Sequence, residues 1–188
     1  LVSGTTVKAG EVTKISANSG LTLEPAAWVP TRNTDHGWWG VVKAGEPPTK
    51  RLQWSNTADT LLLAPGQYDI YWVQDYPMRN HPLLLVSGTT VKAGEVTKIS
   101  ANAGIKLKLP ANTPVLDSNN GWWGVVQTGR EPDVLIHWSP GRVDQPLLLP
   151  PGKYDIFWKQ DHPSKPKRVK QAIVVNRDLV VVDLDPKN

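Results

Sequence analysis

Nine tryptophans stand in a chain of 188 residues that holds four tyrosines and one phenylalanine. Indole is the side chain best suited to stacking on a flat partner, so these residues are the first candidates for chemistry. Two pairs are adjacent, Trp38-Trp39 and Trp122-Trp123. Neighbouring side chains on a β-strand point to opposite faces, so one member of each pair has to leave the core. Lys43 and Gln127 share the phase of the second tryptophan, which predicts Trp39 and Trp123 outward. A second strand occurs twice, as Tyr68-Asp69-Ile70-Tyr71-Trp72-Val73 and as Tyr154-Asp155-Ile156-Phe157-Trp158-Lys159. The exchange of Val73 for Lys159 marks one face as wet, placing Asp69, Tyr71, Asp155 and Phe157 outward and Trp72 and Trp158 in the core. Outward rings of this kind suit a pyranose face or a protein hot spot, with Asp69, Asp155, Gln74 and Gln160 close enough to meet hydroxyls. The competing reading is that residues 29–36, or a neighbouring module, cover the rings as a second small core.

Other chemistries find little support. His36, His81, His137 and His162 fall at no metal-ligand spacing and read as surface loop residues. Gln74-Asp75 and Gln160-Asp161 recur at one place and offer oxygens to a cation or a sugar, but an Asp between a strand and a Pro loop also caps turns. Zero Cys removes a disulfide scaffold, a thiolate metal site and a Cys nucleophile together. There is no Gly-rich phosphate loop, nucleophile elbow or paired-carboxylate signature. No catalytic residue, metal ligand or cofactor is therefore expected, and the chain does not read as an enzyme. The basic loop at 164–170 (Lys165, Lys167, Arg168, Lys170) lacks interleaved aromatics and reads as solvated, with anion binding its minor alternative. A net charge of +4 spread along the chain argues weakly for any nucleic-acid partner, and none is expected. No apolar run approaches the ~20 residues of a membrane-spanning helix.

The elements that position these residues come from a duplication. Residues 1–20 return at 85–104 with 19 of 20 positions matched, and GWWGVV at 37–42 returns at 121–126. A two-residue insertion near 140–145 then aligns LLLAPGQYDIYWVQDYP (61–77) with LLLPPGKYDIFWKQDHP (147–163). Gly and Pro fill 32 of 188 positions, which favours short segments and many turns. Within each copy the period is two, giving seven expected strands in the first: 21–24, 38–42, 51–55, 60–64, 68–74, 84–92 and 95–99. In the third of these, Leu52 and Trp54 are expected inward. Many short strands at this spacing predict an all-β chain of two tandem β-sandwich modules, 17–100 and 101–188. Residues 1–16 then match a closing hairpin for a preceding module, expected to fray or to pair with another molecule's edge. With no initiator Met and no signal segment, the chain reads as part of a longer array.

The LLLxPGxYDI(Y/F)W turn-and-strand and the VxAGEVTKI closing hairpin resemble the carboxypeptidase-regulatory-like (prealbumin-like) β-sandwich modules of bacterial surface and secreted proteins, with PEGA-type repeats a near relative. GWWGVV and the Trp-x-Gln-Asp ending lie outside that pattern. The resemblance implies a non-catalytic spacer or adhesive unit, or an accessory to an enzyme elsewhere in the polypeptide. It also implies an extracytoplasmic setting, with other modules of the same chain, a polysaccharide or a protein as partner.

Overall fold

The computed structural model describes residues 6, 8–12, 18–29, 37–55, 58–74, 82–110, 120–131, 137–140, 146–161 and 165–184, without the side chains of 120–122, 137–140 and 160–161. Most of 1–16, together with His36, Asp75, His81 and His162, lies outside the described residues.

The fold is all-β. The first copy forms β1 (Gly20–Pro25), β2 (Trp38–Lys43), β3 (Gln53–Ser55), β4 (Thr60–Leu62), β5 (Gly66–Val73), β6 (Leu83–Val91) and β7 (Val96–Ala101). The second forms β8 (Gly104–Lys108), β9 (Asn120–Gln127), β10 (His137–Pro140), β11 (Leu147–Leu148), β12 (Gly152–Asp161), β13 (Lys167–Val175) and β14 (Leu179–Asp183). One 3-10 turn, Pro48–Lys50, is the only helical element among the described residues. The strands make four sheets, ordered β4-β1-β7, β3-β2-β5-β6, β11-β8-β14 and β10-β9-β12-β13. The same order thus recurs in each copy, and first and last strands pair in parallel, β1 with β7 and β8 with β14.

Each copy packs a three-stranded sheet on a four-stranded one in a sandwich-like arrangement. The first core gathers Leu21 and Leu23 from β1, Trp39 and Val41 from β2, and Tyr68, Ile70 and Trp72 from β5. The second repeats the pattern with Ile105, Leu107, Trp123, Val125, Tyr154, Ile156 and Trp158. Trp72 and Trp158 are buried as expected. Each core tyrosine keeps its hydroxyl bonded, Tyr68 to the Ala64 carbonyl and Tyr154 to that of Pro150, both at 2.7 Å.

The structure reverses several facing expectations. Trp39 and Trp123 point inward and are 2% and 1% exposed. The ladder dictates this: Trp39 lies opposite Trp72, and Trp123 opposite Trp158, so each pair shares the core face. Lys43 misled the phase because it is the last residue of β2, at the rim where a lysine reaches water from an inward position. Leu52 and Trp54, expected inward, are 49% and 56% exposed. β3 is an edge strand, and its inward positions are polar where the two sheets part. Gln53 Nε2 donates to the Leu62 carbonyl of the opposite sheet, and Ser55 is buried. Val73, expected outward and wet, is buried and lies opposite Trp38.

Candidate functional site

The aromatic face of the first copy is built by Trp38, Trp54 and Tyr71, with Gly40 at its centre. Gly40 lies opposite Trp54 on one side and Tyr71 on the other. A Cβ there would come within 3.1 Å of the Gln53 carbonyl oxygen, tighter than ordinary contact, and would touch Arg51 Cδ at 3.4 Å and the Trp38 ring at 3.5 Å, so the glycine admits the close approach of β3 beneath these side chains. Trp38 meets Trp54 edge-on, centroids 6.3 Å apart at 66°. The Arg51 guanidinium sits 4.5 Å from the Trp38 centroid, a cation–π arrangement. Tyr71 is half-buried; burial, and then the Asp69 charge, push its phenol up.

In the second copy the backbone register is kept, with Trp138 opposite Gly124 and Phe157 opposite Gly124. Phe157 was expected exposed, but it is 4% exposed, with the Arg168 guanidinium 5.6 Å from its centroid. Tyr71 thus remains from the expected platform of Trp39, Tyr71, Trp123 and Phe157. The members that sequence reasoning missed are Trp38, Trp54 and Arg51. One signal was present: Gly40 shares the phase of Trp38, and a glycine inside a strand marks the face on which another group approaches closely.

Asp69 and Asp155, expected at a wet surface, are buried structural clasps. Asp69 accepts from the Gly45 amide at 2.9 Å, the Gly88 amide at 2.8 Å and the Ser87 hydroxyl at 2.9 Å. It thereby ties the β2–β3 turn to a bulge where the β5–β6 register shifts. Burial pushes its carboxyl up, but the Gly45 and Gly88 amides and the Ser87 hydroxyl outweigh that and hold it below the usual carboxylate value. Asp155 repeats the device, accepting from Thr128 Oγ1 at 2.8 Å and the Ala172 amide at 2.9 Å, with Arg168 Nε 3.4 Å away.

Gln74 is not a surface residue either; it is 6% exposed and joins the two copies. Its Oε1 accepts from the Leu148 amide at 3.0 Å and from Trp72 Nε1 at 3.3 Å, and its Nε2 donates to the Pro146 carbonyl at 2.5 Å. Leu148 of the second copy completes the first core, and Leu83 of the first packs against the second. A cleft of about 460 Å³ opens beside this junction between Leu85, Ile99, Leu149 and Arg177. The side chain of Gln160, the counterpart of Gln74, lies outside the described residues, as does that of His137. Among the described residues no group of three or more His, Asp or Glu is placed to hold a metal, and no helix is long and apolar enough to cross a membrane.

Comparison of the chain with protein-family models, curated proteins and solved structures finds no match.

Proposed function

We propose that the chain is a non-catalytic structural unit, a stiff tandem spacer of a larger bacterial surface or secreted protein. The observation that carries this is the junction: buried Gln74 bonds to two backbone groups of the second copy, and Leu148 seats in the first core. A flexible tether needs neither. Exchange of apolar residues between cores makes bending expose them to water, at roughly 25 cal/mol per Å². The carboxypeptidase-regulatory-like resemblance points the same way, as does an arrangement whose conspicuous carboxylates are consumed by turns and bulges. An accessory role beside an enzyme of the same polypeptide uses the same stiffness.

The chain has no cysteine, so one spin label per copy can be placed at the exposed Lys43 and Lys153 through cysteine substitutions. The expected distance distribution is narrow and broadens in Gln74→Ala. A broad distribution in the otherwise unaltered chain would refute the spacer reading.

A second reading, polysaccharide binding, rests on the 56% exposure of Trp54 beside Trp38 and Arg51. A large ring held rigidly at the surface stacks on a sugar at low entropy cost. Titration with soluble polysaccharides should change tryptophan emission in the parent chain and not in Trp54→Ala. An unresponsive parent removes this reading.

A further inference from the structure

The exposed edge around Leu62 is the same surface that the second copy buries at the junction. Leu62 and Leu148 are equivalent by sequence and by register, since Leu62 lies opposite Gly20 and Leu148 opposite Gly104. The next residues match too, Leu63 donating its amide to the Ser19 carbonyl and Leu149 to that of Ala103, both at 3.0 Å. Their surroundings differ. Leu148 is 1% exposed because the first copy covers it and Gln74 takes its amide, whereas Leu62 is 45% exposed on β4, the edge strand of its sheet.

We propose that this edge docks a second copy of the chain head to tail, presented through the end of its second copy where Trp158 and Lys159 of β12 lie beside Lys167 of β13. The proposal rests on the spacer reading and extends it to how such units join. The docking end keeps the tryptophan and glutamine of Trp72-Val73-Gln74. It replaces the apolar Val73 and Leu83 with Lys159 and Lys167, Leu83 and Lys167 being matched by their places opposite Trp72 and Trp158, while the sequence leading into the leucines it meets reads Asp59-Thr60 in place of Gln145-Pro146. Lysines gained on one side are answered by a carboxylate gained on the other. The contact has the register of the internal junction but a more polar, salt-sensitive rim. Being heterologous, it leaves a free end on each molecule and gives open chains in place of a closed dimer.

Sedimentation velocity of the full chain from micromolar to millimolar concentration tests this. The weight-average sedimentation coefficient is expected to rise with concentration and to fall with added salt. Leu62→Lys and Lys159→Glu each weaken association about tenfold or more, as loss of one buried leucine or reversal of one rim charge predicts. Each variant keeps one intact end, so a mixture of the two forms a dimer and nothing larger, while Trp54→Ala associates like the parent. A parent that stays monomeric throughout overturns the proposal. So does association that survives Leu62→Lys or disappears in Trp54→Ala. A monomeric parent with a narrow intramolecular label distance would leave the spacer reading standing.

Discussion

Gly88 and Ala172 occupy equivalent bulges and share a backbone conformation that favours only one of them. Gly88 has φ +67° and Ala172 φ +53°. Each amide is held by a buried carboxylate, Asp69 in one copy and Asp155 in the other. Left-handed backbone costs an L-residue about 1–2 kcal/mol, and the extra freedom of an unfolded glycine offsets roughly 0.4–1 kcal/mol of that. A Cβ added at Gly88 meets nothing within 4 Å, so no packing term intrudes. Gly88→Ala should therefore destabilise by about 0.5–1 kcal/mol and Ala172→Gly stabilise by a similar amount. For a chain of this size that is a shift of about 1–4 °C in Tm, downward and upward respectively. The sites lie in separate sheets, so the double exchange should restore parental stability to within about 0.5 kcal/mol. Urea unfolding with matched slopes provides the measurement. A Gly88→Ala protein as stable as the parent, or an Ala172→Gly protein less stable, would refute the argument that the carboxylates impose this backbone on both copies.

Trp39→Ala should lose about 3–5 kcal/mol while Trp54→Ala loses under about 1 kcal/mol, the order opposite to the one the sequence suggests; equal losses by chemical denaturation would reject the facing assignment. Asp69→Asn places an amide where three donors converge and should cost about 1–3 kcal/mol at neutral pH. Because the folded carboxyl lies below its unfolded value near 3.8, the Asp69 contribution is present above that value and is lost as pH falls through the folded value. Unfolding titrations below pH 5 should show a shallower acid loss in the Asn variant, and parallel curves would contradict the clasp. Burial alone pushes the Tyr154 phenol up to about 12, so it stays neutral while an unfolded tyrosine ionises near 10. Its contribution is complete below pH 10 and declines toward pH 12, and ultraviolet titration should find one tyrosine ionising last, a feature missing in Tyr154→Phe.

Each misread residue stands where coverage depends on something other than strand phase. The duplication and the period-two runs place the strands, because alternation is local and a sandwich imposes it along every strand. Trp72 and Trp158 follow, being mid-strand where phase and burial coincide. Lys43 is exposed because β2 ends there, and Trp54 because β3 is an edge strand. Asp69 and Asp155 take the outward phase as expected, yet the turn at Gly45 and the bulge at Gly88 fold over the first, and Thr128 and Ala172 over the second. A bulge is a mismatch between two strands, so neither strand announces it alone. Gln74 is the same case at larger scale. Its partners are the Leu148 amide and the Pro146 carbonyl, more than seventy residues away, and backbone groups carry no sequence signature. What the duplication does offer is a comparison of each residue with its copy. Leu62 and Leu148 have one identity, one register and opposite exposure, so the difference between them measures what a neighbouring repeat covers.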